Sequence, residues 1–308
     1  PAPSTYYWTA SYPGDGNNNA YTTGCGGLNE EIVIDKASPT ITTMANPLSA
    51  QFGALATFGD TATLAGAYSP TGPVTFTLYS DSACTVPVDG MSGDGTITGT
   101  TTSFSSDWTP PAAGNYYWIA SYAGDVNNKA FTTSCGDANE VVTATKVTPT
   151  VLTSVHDASH GITTSAMVGD VVHDYVFVSG IVGTPTGSIT LEYFDNGSCT
   201  APALLTSDAL ALTAGAVEAT DFAQTIAAAG DYSFRASYPG DANFNADTGD
   251  CEPFTVAAGI LPVITVDNVA NPTSVPETGA SVTFTFTVTN SGTIPVTITS
   301  HDNDVFGA

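Results

Sequence analysis

The 308-residue chain carries 29 acidic side chains against four basic ones, a formal net charge of −25 at pH 7. Four scattered cations, Lys36, Lys129, Lys146 and Arg235, cannot neutralise a run of phosphates, which excludes nucleic acid as a partner and electrostatic docking on anionic lipid. With 42% hydrophobic residues the chain can build cores, and its charge favours solubility and a repulsion between neighbouring modules that a salty or calcium-containing medium would screen.

The chain opens on PAPSTYYW, without an initiator Met or a charged-then-apolar leader, as a mature or trimmed product would. From Tyr6 it runs YYWTASYPGDGNN, and it repeats itself as YYWIASYAGDVNN from Tyr116 and YSFRASYPGDANF from Tyr232. Self-similarity of this kind marks a repeat architecture. Strand side chains alternate, so Tyr6, Trp8, Ala10 and Tyr12 share the larger, more aromatic face, and Trp8, Trp118 and Phe234 are expected inside their modules. Gly14-Asp15, Gly124-Asp125 and Gly240-Asp241 then supply a turn, because Gly tolerates positive φ and Asp bonds nearby backbone amides.

Two complete units follow, at 37–146 and 147–258. SPTITT from Ser38 matches TPTVLT from Thr148, and SPTGPVTFTLYSDSAC ending at Cys84 matches TPTGSITLEYFDNGSC ending at Cys199. Gly59-Asp60 is aligned with Gly169-Asp170, and AAGNYYW with AAGDYSF. Residues 1–36 match only the second half of such a unit. The longest helix candidate, DALALTAGAVEATDFAQTIAAAG from Asp208, is broken by Gly215 and β-branched residues. In 259–308 a different pattern begins, with Val282, Phe284, Phe286 and Val288 alternating with threonines. No run of 18 apolar residues occurs, so no membrane insertion is expected in this segment. Many short strands between Gly, Pro, Asn and Asp clusters predict an all-β chain of sandwiches.

The pattern AAG-x-Y-x-x-x-A-S-Y-x-G-D-x-N, with the TG-x-x-T strand before it in both complete units, resembles the bacterial Ig-like repeat of group 3 over about residues 1–258. The tail resembles a different surface-protein repeat, the DUF11-like β-sandwich, of which 259–308 would be the N-terminal part. The resemblance implies tandem Ig-like β-sandwich domains arranged as an extended rod, in secreted or wall-attached proteins, and no catalytic residues. The two cysteines in each unit depart from the pattern of many relatives.

Cys84 and Cys135 share one unit, and Cys199 and Cys251 occupy the same places in the next. Their separations, 51 and 52 residues, are those a repeated intradomain disulfide requires. Cys25 aligns with Cys135 and Cys251, so its partner belongs to a half-unit outside 1–36. A bridge to a neighbouring chain and a free, redox-active thiol are the alternatives. Persistent disulfides indicate an oxidising compartment, hence an extracellular or cell-surface location.

Other candidate sites are local. From Asp241 the third copy places Asp241, Asn243, Asn245, Asp247 and Glu252 at positions 1, 3, 5, 7 and 12, the oxygen-ligand spacing of an EF-hand calcium loop. Ala246 stands where that loop needs Gly, and the other two copies lack the seventh and twelfth ligands. A structural hairpin turn is the competing assignment, and apart from calcium no cofactor is expected. His156 and His160, with Asp157 between them and His173-Asp174 following, raise zinc, against a default of exposed loop histidines. Lys36 and Lys146 fall at equivalent junctions, where exposure argues against isopeptide crosslinks. Asn196 begins an N-glycosylation sequon, NGS. No nucleophile elbow, P-loop, H-E-x-x-H or paired-carboxylate signature is present, so the chain is not expected to be an enzyme.

The expected function is therefore structural, as a stalk or the subunit of an extracellular filament. Short linkers and the junction prolines Pro39 and Pro149 would stiffen it. Both ends stop within a domain, so neighbouring copies of the same or an adjoining repeat protein are the expected partners, by strand addition or by continuation of the chain. The alternative is an adhesin module that recognises glycan or a host surface protein through Tyr21, Phe131 and Phe244.

Overall fold

The computed structural model describes residues 1–259, 262–292 and 294–300. Of the 259–308 segment, positions 260, 261, 293 and 301–308 thus lie outside the described residues. The described chain is all-β, and its one helical element is a 3-10 turn at Thr220–Phe222. This turn lies in the Ala-rich stretch from Asp208, which otherwise forms the short strands Leu210–Ala211, Ala216–Glu218 and Gln224–Thr225.

In the first module, 37–146, two sheets face each other across one core. One sheet has the order Thr101–Trp108, Ala56–Ala65, Thr40–Asn46. The other has the order Ser49–Gln51, Val141–Thr145, Gly114–Tyr122, Pro73–Tyr79, Pro87–Thr96. Period-two alternation sends Val74, Phe76 and Leu78 inward from one strand and Tyr116, Trp118, Ala120 and Tyr122 inward from its neighbour. They meet Ile41, Phe58, Ala62 and Leu64 of the facing sheet. Trp108 ties the layers with edge-to-face contacts to Phe58 at 5.3 Å and Tyr116 at 4.8 Å.

The second module, 147–258, repeats the plan. Its smaller sheet is Thr150–Asp157, Val171–Ser179, Ala216–Glu218. Its larger one runs Ser165–Met167, Glu252–Ala257, Gly230–Tyr238, Ser188–Phe194, Leu205–Thr206. Val155, Val172, Tyr193, Phe234, Phe254 and Val256 fill the core. Each module has one parallel pair at the same place, Ser49–Gln51 beside Val141–Thr145 and Ser165–Met167 beside Glu252–Ala257. Among the described residues, strand pairings stay within 1–36, 37–146, 147–258 or the tail.

The first segment departs from expectation. It forms two small sheets, Ser4–Tyr7 with Glu31–Ile34 and Ser11–Tyr12 with Tyr21–Thr22. Trp8, expected inside, is 70% exposed, whereas its counterparts Trp118 and Phe234 are fully buried. The counterparts lie in unbroken nine-residue strands, Gly114–Tyr122 and Gly230–Tyr238, whereas Trp8 falls in the gap between Ser4–Tyr7 and Ser11–Tyr12. In the tail, Ile264–Asn271 and Thr283–Asn290 form one hairpin with Phe284, Phe286 and Val288 part-exposed.

By internal contacts the chain forms two compact units. One comprises Pro1–Thr150, Val178–Gly187 and Pro239–Asp247; the other comprises Val151–Phe177, Ser188–Tyr238 and the residues from Thr248 on. The turn of the second module thus falls in the first unit, together with the linker residue Val147.

Candidate functional site

The repeated Gly-Asp turn is a double clamp. In the second copy, Asp125 Oδ1 accepts the backbone N–H of Asn127 and Asn128, while Oδ2 accepts the N–H and hydroxyl of Thr71. In the third copy, Asp241 Oδ1 accepts Asn243 and Phe244 N–H, and Oδ2 accepts the N–H and hydroxyl of Thr186. One carboxylate oxygen thus closes the turn while the other fastens the Thr-Gly entrance of a core strand. Each turn also holds the linker that leads into its own module. Ala37 exchanges backbone hydrogen bonds with Asn127 and Lys129, at 2.8 and 2.9 Å, and Val147 does so with Asn243 and Asn245, at 3.1 and 2.9 Å. The lysine before each linker residue donates to the turn carbonyl, Lys36 to Asp125 and Lys146 to Asp241. Both lysines are exposed.

This arrangement corrects the calcium expectation. The Asp241 carboxylate is filled by N–H and O–H donors, which occupy the lone pairs a cation would need. Burial alone would raise this carboxyl, but hydrogen bonds from Thr186, Asn243 and Phe244 outweigh it and hold it at about 2. Asn245 donates its side-chain amide to the Thr148 hydroxyl, and Asp247 lies in the short strand Asp247–Thr248. Glu252 opens the strand Glu252–Ala257 and belongs to the other compact unit. Phe244, expected as an exposed aromatic, is 1% exposed and packs edge-to-face on Phe52 at 5.9 Å. Phe131 packs partly buried against the first core, and Tyr21 is 70% exposed. Replacing Asp125 with Ala should remove both grips and lower the stability of the first module by about 1–3 kcal/mol. Urea unfolding of the variant checks this.

The cysteines are bonded as Cys84–Cys135 and Cys199–Cys251, with Cα separations of 5.9 and 5.8 Å; Cys25 is free and exposed. Cys84 and Cys199 both sit at positive φ, held there by an Asx knot. Asp81 accepts the N–H of Ala83, Thr85 and Val86. Asn196 is its counterpart, accepting Ser198 and Thr200 N–H while its amide donates to the Thr200 carbonyl. The sequon asparagine thus orients the cysteine turn, a role its glycosylation motif does not reveal.

The first core also buries an Asp–Glu carboxyl pair that no local motif announces. Asp60 is 1% exposed and Glu140 is fully buried, within side-chain hydrogen-bonding reach of each other. Asp60 Oδ1 accepts Met44 N–H, whereas Asp60 Oδ2 and both Glu140 oxygens have no donor. A proton held between the two carboxyls would supply the missing donor. The second module matches it with Asp174, whose Oδ1 accepts Ser154 N–H and whose carboxyl is pushed up to about 8 by burial and then by Glu252. Asp60 therefore corresponds to Asp174, and not to Asp170 as the motif alignment has it. Asp170 instead caps a turn by accepting Met167 N–H.

A histidine–glutamate cluster lies on the outward side of the smaller sheet in the second module. His156 is the penultimate residue of the strand Thr150–Asp157, His173 lies on Val171–Ser179, and Glu218 ends Ala216–Glu218, opposite Tyr175. Glu218 Oε1 stands 2.6 Å from His156 Nδ1, 2.7 Å from His173 Nε2 and 3.3 Å from His160 Nδ1. His160 Nδ1 is also 3.2 Å from His173 Nε2. His156 and His173 are 8% and 2% exposed, which corrects the expectation of exposed loop histidines; only the His160 side chain is largely open, at 56%. Burial would raise the Glu218 carboxyl, but hydrogen bonds from His173, His156 and His160 together hold it below its usual range. Asp157 turns away to cap its own loop through Ser159 and Gly161 N–H, and Asp174 points to the core. Nothing near the histidines in sequence announces Glu218, which lies in a three-residue strand. No protein-family model matches this chain, and no curated protein is detectably similar to it.

Proposed function

We propose that the chain is a structural repeat region of a large secreted or cell-surface protein, built of tandem Ig-like β-sandwiches in an extended rod and acting as a stalk or as a subunit of an extracellular filament. The observation that carries this reading is the repeated linker clamp. Ala37 and Val147 are each bonded in both directions to a Gly-Asp turn, and a lysine adds a third tie. A linker held at three points loses its hinge freedom, which suits a load-bearing element. Pro39 and Pro149, both buried, restrict the adjacent backbone. The two disulfides suit an oxidising environment outside the cell.

The aromatic face of 1–36 and the apolar face of the tail hairpin support neighbouring copies or adjoining repeats as partners, because exposed strand edges and apolar faces recruit further β-structure. An adhesin reading has less behind it, since Phe244 is buried and Phe131 packs against a core. Small-angle scattering of the intact chain tests the proposal. An elongated particle with little interdomain flexing is expected, and Asp241→Ala combined with Lys146→Ala should broaden its distance distribution. A freely jointed ensemble in the unmodified chain would count against the rod.

A further inference from the structure

We propose that His156, His160, His173 and Glu218 form a four-ligand site for a late first-row divalent metal, zinc foremost, which fastens the 157–162 loop onto the sheet of the second module. The inference is independent of the stalk reading.

Proton accounting is the first argument. A neutral imidazole carries one N–H, and a carboxylate oxygen has two lone pairs. Three ring nitrogens point at one oxygen, Glu218 Oε1, and two of them, on His160 and His173, face each other at 3.2 Å. If all three nitrogens carry hydrogen, one oxygen receives three donors and two N–H groups oppose each other. If His160 Nδ1 is bare, His156 and His173 fill both lone pairs of Oε1, and the His160 lone pair has only a share of the His173 hydrogen at 3.2 Å while facing a carboxylate oxygen at 3.3 Å. Charging the rings crowds cations into a site where two of them are buried. A metal at the centre removes the conflict, because all four atoms then present lone pairs inward.

Geometry is the second argument. Ligands in a tetrahedral zinc site with bonds of about 2.0–2.1 Å stand roughly 3.3 Å apart. The ligand atoms of His156, His173 and Glu218 all lie within 4.8 Å of one another, and His160 stands 3.2 Å from His173 and 3.3 Å from Glu218, so the loop would bring it in toward His156 to close the site. The two contacts of His156 and His173 with Glu218 would open by about 0.6 Å on this geometry. Three nitrogens and one carboxylate oxygen form a borderline donor set that suits zinc, cobalt, nickel or copper, whereas calcium and magnesium call for more oxygen ligands.

The surroundings are built for orientation. The Ser154 hydroxyl lies 3.3 Å from His156 Nε2, turning Nδ1 toward the centre, and Tyr175 stacks flat on the same ring at 5.4 Å. His160 is aimed inward by a left-handed backbone, φ 63°, uncommon for a non-glycine residue, at the end of a loop that Asp157 caps. Three ligands stand on adjacent strands, and the fourth is delivered by the loop that the metal would pin.

The test uses the full chain carrying Cys25→Ser, so that the exposed thiol takes no metal. After chelator stripping, zinc is titrated against a chromogenic chelator and melting is followed with and without zinc. One zinc per chain and a raised melting temperature are expected. His160→Ala, an exposed loop change that leaves the metal-free protein folded, should weaken binding at least roughly tenfold. Glu218→Gln should weaken it as well. Cobalt should give the intense visible bands of a four-coordinate ion, lost in His156→Ala. Absence of stoichiometric zinc in the parent chain overturns the proposal, as does equal affinity in His160→Ala and Glu218→Gln, or a six-coordinate cobalt spectrum.

Discussion

Between about pH 5 and pH 8.5 the urea midpoint of the first module is expected to fall, and Glu140→Gln to remove most of that fall. The cause is the buried carboxyl pair. Burial pushes Glu140 up to about 8, and the neighbouring Asp60 and Asp137 charges add to it against a lowering influence of the nearby Thr43 hydroxyl. Burial likewise raises Asp60 to about 6, opposed by hydrogen bonds from Thr61, Met44 and Glu140. Ordinary carboxyls in an unfolded chain titrate near pH 4. A folded pKa above the unfolded one means that the native state keeps a proton the unfolded state has released, so the slope of stability against pH is negative in this window. The contribution is complete below about pH 4 and is lost as pH rises through about 8, the value for Glu140.

One retained proton across that window is worth roughly 3–4 kcal/mol, or a shift of one to three molar in urea midpoint. Fluorescence isolates the effect, because all three tryptophans, Trp8, Trp108 and Trp118, lie in residues 1–146. Trp118 also donates its backbone N–H to the Glu140 carbonyl, so it sits beside the pair. The formal charge of −25 destabilises every variant alike at high pH, and comparison with Glu140→Gln cancels that background. Gln keeps the shape and offers Asp60 an amide donor that does not titrate. Parallel pH profiles for the two proteins would mean that the native pair holds no extra proton.

Much of the fold is legible along single strands. The alternation in PVTFTLY and YYWIASY names the buried side chains of the first module, because a pleated strand must send alternate residues to one face. Alternation does not say where a strand breaks, and Trp8, in such a gap, is exposed. The bonded cysteines occupy matching places in the repeat frame, which a reader of the sequence can see. The clamp was half legible: turn chemistry identifies Asp125 and Asp241 as turn-formers, but their second oxygens reach Thr71 and Thr186, 54 and 55 residues away. Long-range side-chain convergence leaves no local period. The same limit hides Glu218 from His156 and His173, 62 and 45 residues distant, and Glu140 from Asp60. The EF-hand spacing at Asp241 shows the converse, since ligand spacing has meaning only on the backbone that curls it.

Removing one disulfide should cost the module that contains it about 4 kcal/mol, from a loop of about 50 residues released in the unfolded chain. The bond should act on the unfolded state more than on the local turn, because the turn has its own supports. Around Cys84 the Asp81 carboxylate accepts Thr85 and Val86 N–H at 2.9 and 2.7 Å. Around Cys199 the Asn196 side chain does the corresponding work, and the Ser233 hydroxyl accepts Cys199 N–H while donating to the Asn196 carbonyl. Serine at 199 would meet these same polar groups, so Cys199→Ser with Cys251→Ser leaves no unsatisfied apolar pocket. Tryptophan fluorescence should then register Cys84→Ser with Cys135→Ser and stay silent for the 199–251 pair, whose loss should appear only in far-ultraviolet circular dichroism. Asn196→Ala with the bond intact separates the two contributions. It should cost roughly 1 kcal/mol by freeing the backbone amides it caps, well below the loss from cutting the bond. An Asn196→Ala loss equal to that of the double serine variant would locate the stabilisation in the turn itself and refute the chain-entropy account.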